Sequence, residues 1–292
     1  KEQMMKFMVL VLLAAGMVLA STNLTAPATG IPGQGGRAAL TILDSFDLGA
    51  LGASVYCVGV GYDGTNLWVS NNRSVGGLGT NQFMIITLTS PHTLVTSVDQ
   101  CGTSSWGVID MAYDAASSRV FTGRYDSTNI DYYSASTYVK QGSFVGHSGG
   151  NYAIACNGMD FYVAGGFANT NMYKGTWNGV SGSTLTWSTW STVCPNNGQI
   201  GAAYDAAWPC IWLSTASGTG VLGQLAMDGT LITTYALTPE VSNGGGCEMA
   251  PFSAQSQLWQ LAQTDPNDTV YCWNVRATGL SRDTWGSIKT LF

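Results

Sequence analysis

The stretch VYCVGVGYDGTNLWVSN (55–71) joins an apolar run, a Tyr-Asp turn and an aromatic strand. The same order recurs in WGVIDMAYDAASSRVFTGR (106–124), YAIACNGMDFYVAGG (152–166), QIGAAYDAAWPCIWLST (199–215) and CEMAPFSAQSQLWQLAQ (247–263). Taking Tyr62, Tyr113, Cys156, Tyr204 and Phe252 as equivalent, the steps are 51, 43, 48 and 48 residues. A period of about 40–50 residues made only of short strands marks the blades of a β-propeller.

The ends of the repeat array say how the ring closes. The segments HTLVTSVDQ (92–100), YVKQGSFVG (138–146) and LITTYALTPE (231–240) read as the last strand of their repeats. The fifth repeat runs through TVYCWNV (269–275) and then lacks that strand, while ALTILDSFDLG (39–49) supplies a similar one ahead of the first repeat. The expected fold is therefore all-β: a five-bladed propeller of four-stranded antiparallel blades over 40–278, with residues 40–48 pairing against 269–275. Closure of this kind removes the open edge that invites aggregation.

Flanking this unit, residues 4–20 (MMKFMVLVLLAAGMVLA) carry one lysine, an apolar run and small residues before Ser21. They read as an export signal within 1–20, the alternative being a retained hydrophobic anchor. Residues 21–39, rich in Thr, Pro and Gly, read as a flexible linker. The tail 279–292 reads either as a short helix on the ring or as a loose terminus.

Composition narrows the function classes. Of 292 residues, 10% are charged, against about 25% in ordinary soluble domains. Solubility falls to neutral polar groups and 37 glycines, which suits a secreted or cell-surface protein that binds or assembles. A net charge of −6 with scattered basic residues argues against nucleic acid. GLG at 77–79 sits in an open loop, so no nucleotide site is expected. Neither histidine, His92 nor His147, stands near a nucleophile, and no CxxC or HxxxH spacing is present, so neither a catalytic triad nor a zinc site is expected. No cofactor and no metal are expected.

Trp68, Trp212 and Trp259 fall at one repeat position, with Phe121 and Tyr162 standing in elsewhere. A residue that recurs once per blade fills the wedge between blades, as core aromatics do. Trp177, Trp187 and Trp190 cluster instead in GTWNGVSGSTLTWSTW (175–190), an outer hairpin of the third blade. These three are the candidate binding residues, for a second copy of the chain or an extracellular glycan. Asp63, Asp114 and Asp205 follow the repeated Tyr and read as turn formers rather than as a ring of cation ligands.

Asp110 and Glu248 fall on innermost strands, which line a propeller's central channel. A glycosidase needs two carboxyls about 5–9 Å apart, and these two are the only candidates for a catalytic pair. Seven cysteines in an exported chain suggest disulfides with one thiol left over. Cys57 and Cys247 share a repeat position in blades one and five, so a bond between them across the closure is expected.

The phrase GVGYDGTNLWVSN (59–71) resembles the blade sequence of secreted bacterial β-propellers, in which a G-x-x-Y/W-D-G turn precedes an L-W-V strand. It is also similar to a piece of the plant-type glutaminyl cyclase family, which is five-bladed. The resemblance spans about 210–240 residues as a repeat pattern but is close only in the first blade. It implies the fold and places none of that family's catalytic residues on this chain. The leading functional expectation is an extracellular, non-enzymatic binding or self-assembling subunit. The alternative is a secreted enzyme acting on a glycan or peptide end in the channel.

Overall fold

The computed structural model describes residues 40–276 except 166–169, 196–197, 217–219, 238–240, 242 and 265. The segments read as export signal, linker and tail lie outside the described residues.

Twenty strands form five four-stranded antiparallel sheets. Strand β1 (Ile42–Asp47) comes first and belongs to the last blade. Blade 1 is β2 (Cys57–Tyr62), β3 (Asn66–Asn71), β4 (Gln82–Thr87) and β5 (Leu94–Asp99). Blade 2 is β6 (Val108–Asp114), β7 (Arg119–Arg124), β8 (Asn129–Ser134) and β9 (Lys140–Val145). Blade 3 is β10 (Ala153–Asn157), β11 (Asp160–Ala164), β12 (Met172–Thr176) and β13 (Trp187–Ser191). Blade 4 is β14 (Gln199–Asp205), β15 (Cys210–Thr215), β16 (Val221–Ala226) and β17 (Leu231–Ala236). Blade 5 is β18 (Gly244–Phe252), β19 (Gln255–Ala262) and β20 (Thr269–Trp273), completed by β1.

The closing register runs from Ile42 opposite Trp273 to Asp47 opposite Thr269, as the spare strand predicts. The connection into blade 1 is tied down as well. Leu48 is fully buried and donates its N–H to the Asp268 carbonyl, while the Asp268 carboxylate accepts the N–H of Cys57 at 2.8 Å.

The repeated Asp makes the inner turn of its blade. Asp63 accepts the N–H groups of Thr65 and Asn66, Asp114 those of Ala116 and Ser117, and Asp205 those of Ala207 and Trp208. In two blades the same carboxylate also takes an indole N–H. Trp68 reaches Asp63 at 2.8 Å and Trp212 reaches Asp205 at 3.4 Å. Blade 5 has Ser253 at this place, and the buried Trp259 indole N–H has no partner there.

The core lies in the seams between blades. Trp68, Phe121, Tyr162, Trp212 and Trp259 are all buried, and each packs into the cluster it shares with the following blade. Their role is wedge filling, the dominant use of buried aromatics.

The structure does not pair the two cysteines expected to bridge the closure. Cys57 and Cys247 are free, buried thiols, as are Cys156, Cys194, Cys210 and Cys272, while Cys101 is free and exposed. Cys57 packs among blade 5 residues such as Trp259 and Leu261, whereas Cys247 packs among blade 4 residues such as Trp212 and Cys210. Equivalent positions on neighbouring blades face the same way around the ring. They therefore cannot meet, and a disulfide needs Cα atoms within about 7 Å and side chains that converge.

Candidate functional site

Four of the five inner strands carry a register shift against their partner: between Cys57 and Val60, Val108 and Asp110, Gln199 and Gly201, and Gly244 and Cys247. A bulge adds a residue to one strand and re-aims its neighbours. Three of the bulge residues, Val58, Ile109 and Ile200, are buried against one another. The residue after Ile109 is Asp110.

Asp110 is fully buried and works across the ring. Its Oδ2 accepts the N–H of Ile154 at 2.9 Å and of Ala202 at 2.7 Å, and its Oδ1 accepts the N–H of Cys247 at 3.1 Å. One blade 2 side chain thus holds the inner strands of blades 3, 4 and 5. Glycines make the approach possible. A Cβ on Gly246 would stand 2.5 Å from Asp110 Oδ1, and one on Gly201 would stand 2.7 Å from the Cys247 nitrogen.

Glu248, 5% exposed, makes the return connection. Its Oε2 accepts the N–H of Tyr113 in blade 2 at 2.9 Å, and its Oε1 accepts the N–H of Met249 at 2.7 Å. Burial pushes Glu248 up to about 8, against the lowering effect of these two N–H groups. Burial likewise holds Asp110 well above the usual carboxylate range, opposed by N–H bonds from Ile154 and Ala202 and reinforced by the charge of Glu248.

The chemistry open to this pair follows from where its oxygens point. Glycoside cleavage needs one carboxyl on the leaving oxygen and another on a water or the sugar carbon. Here all four oxygens face backbone N–H groups, and neither side chain fronts an open channel. The two candidates do come together at the axis, but as a cross-brace.

The Trp hairpin divides. Trp177, a candidate binding residue, is 2% exposed and sits in the blade 2–3 seam against Phe121, Phe144 and Phe161. The chain leaves β12 one residue before Trp177 and turns the ring inward, with its indole N–H on the Val180 carbonyl. Trp187 is half-buried beside the backbone of Gly175 and the ring of His147. Trp190 is half-buried, stacks edge-on against Tyr162 at 4.8 Å, and donates to the Met227 carbonyl of blade 4. It also lines a surface groove of about 500 Å³ with Val193, Gly229 and Leu231. That groove is what remains of the expected contact surface.

A second feature is a set of aromatic rings at the entry to the inner strands. Tyr56, Trp106 and Tyr152 stand just ahead of inner strands β2, β6 and β10; Trp106 and Tyr152 pack on the Val58–Ile109–Ile200 cluster, and Tyr56 and Tyr125 extend this rim through ring contacts with them. An aromatic one or two residues before each of three inner strands is the signal that marks them. The rim offers flat apolar faces. Among the described residues no group of three or more His, Cys, Asp and Glu side chains is placed to hold a metal ion.

No protein-family model and no curated protein matches the chain. Solved structures share its fold. Myxococcus xanthus glutaminyl cyclase is similar with a TM-score of 0.56 at 10% identity, over 81% of this chain and 96% of that one. A luciferin-regenerating enzyme is similar with a TM-score of 0.51 at 10% identity, over 80% and 96%. At this identity the likeness is one of fold, and propellers host unrelated functions.

Proposed function

We propose that this chain is an extracellular, non-enzymatic propeller that binds or self-assembles at the cell surface. One observation carries the reading: the Asp110 and Glu248 carboxyl groups turn their oxygens to backbone N–H groups, four of the five on other strands, so they brace the ring instead of facing a substrate. The surface supports it. Few charges oppose association, and aliphatic side chains such as Val95, Val139, Val180 and Val193 stand exposed. The groove formed by Trp190, Val193 and Leu231 at the blade 3–4 seam is the contact surface, for a second copy or a glycan. An enzyme reading would have to use groups other than Asp110 and Glu248.

Sedimentation velocity on the full chain across a concentration series tests the assembly form, and a glycan array tests the binding form. Val193→Asp, at a residue 47% exposed, should weaken the association or capture at least about tenfold, the equivalent of about 1.4 kcal/mol, with the thermal midpoint unchanged. A chain that stays monomeric at every concentration and captures no glycan contradicts the proposal.

A further inference from the structure

His92 sits in the turn between β4 and β5 of blade 1, yet its ring lies on blade 5. It stacks on Phe46 of β1 with centroids 4.1 Å apart and meets Trp259 of β19 edge-on at 6.0 Å. Its side chain is 5% exposed. The two ring nitrogens both face oxygen acceptors. Nδ1 lies 2.9 Å from the Thr87 carbonyl oxygen, and Nε2 lies 3.0 Å from Asp44 Oδ2 on β1.

A neutral imidazole has one N–H and one lone pair. Whichever nitrogen keeps the proton, the other turns its lone pair toward an oxygen, which repels it. Only the imidazolium donates to both, and both distances are those of good N–H···O bonds. The surroundings add no competing charge. Phe46 and Trp259 are uncharged, and Thr87 and Thr93 of the same hairpin are neutral. Cys272, opposite Asp44 in the ladder, is a thiol kept protonated by burial and by the Asp44 charge. The remaining Asp44 oxygen is taken by the N–H of Ser45.

We propose that His92 and Asp44 form a proton-dependent lock on the closing strand β1. With His92 protonated, β1 is tied to blade 1 as well as to β20. When the proton leaves, the Asp44 contact becomes a repulsion, and β1 is held by its ladder with β20 and by the packing of Phe46. The seam therefore tightens when the ring carries both protons and loosens when it carries one. The lock concerns ring closure and is independent of what the propeller binds.

Hydrogen exchange on the full chain reads the lock directly. After correction for intrinsic exchange, the rate increase of the β1 amides from near pH 5 to near pH 8 should exceed that of β7 in blade 2 by about tenfold, β7 reporting the global opening that Glu248 makes pH-dependent. Asp44→Asn is the deciding variant, because its amide NH₂ donates to a neutral Nε2. It should abolish the excess while leaving β1 protected at both pH values. His92→Gln should also show no excess, and if it fails to fold the Asp44→Asn comparison stands alone. A β1 increase no larger than that of β7, or an unchanged excess in Asp44→Asn, overturns the proposal.

Discussion

Glu248 of blade 5 accepts the backbone N–H of Tyr113 of blade 2 at 2.9 Å, a bond between blades that are not neighbours in the ring. Asp110 makes the reverse connection, from blade 2 to the N–H of Cys247 in blade 5. The two acids therefore tie one diameter of the propeller in both directions.

The raised ionisation of Glu248 sets a pH dependence with a definite sign. The folded chain keeps this proton up to about pH 8, whereas an unfolded glutamate releases it near 4.3. Between those values the folded state binds more protons, so the contribution is fully present below the lower value and is lost as pH rises through the upper one. Urea unfolding at acid, neutral and mildly alkaline pH should show stability falling by up to about 1.4 kcal/mol per pH unit from this group. Glu248→Gln should flatten the slope, and an equally steep slope in the variant would place its origin elsewhere.

The thiols make a second prediction. Burial raises the ionisation of Cys57, Cys156, Cys194, Cys247 and Cys272, which leaves them unreactive as thiols. A thiol reagent should label Cys101 alone in the native protein and all seven cysteines after denaturation. Reductant should leave the thermal midpoint where it is. Mapping that recovers a Cys57–Cys247 bond would contradict the seam geometry.

Arg276 forms a paired contact with Asp205, both bonds 2.6 Å, and covers the Trp208 ring at 4.9 Å. It joins the last described residue of blade 5 to the inner turn of blade 4. Both side chains are buried, 8% and 1% exposed, and removing one partner strands the other's charge. Arg276→Ala should cost about 3 kcal/mol by denaturant unfolding. A loss under about 0.5 kcal/mol, the scale of surface substitutions, would mean the pair is not a clasp.

Trp177→Ala should act on folding and not on binding. The ring fills the blade 2–3 seam, so its loss should cost about 3–5 kcal/mol. Val193→Asp at the groove should show the opposite pattern. Were Trp177→Ala to keep full stability, the seam assignment would be wrong.

The blade count, the strands and the closure by residues 40–48 were legible because a repeat announces itself at five places and one spare strand matches one missing strand. The turn role of Asp63, Asp114 and Asp205 was legible for the same reason. The role of Asp110 was not, since its partners Ile154, Ala202 and Cys247 lie on three other blades and meet it only after the bulges turn those N–H groups to the axis. Trp177 misled because a ring flanked by Gly and Ser looks exposed, while its burial depends on Phe121 and Phe144 of the preceding blade. Cys57 and Cys247 share a repeat position, but such a position fixes which seam a side chain enters, not which residue it meets.

Asp110 is a structural brace, and the stability of Asp110→Ala measures that role most directly. The substitution leaves three buried N–H groups without an acceptor, each worth about 1–3 kcal/mol. Denaturant unfolding near pH 6, with Val139→Ala at a residue 61% exposed as control, should show a loss of at least about 3 kcal/mol, against almost none for the control. An Asp110→Ala protein as stable as the parent would contradict the brace and return Asp110 to the list of groups free to act on a ligand.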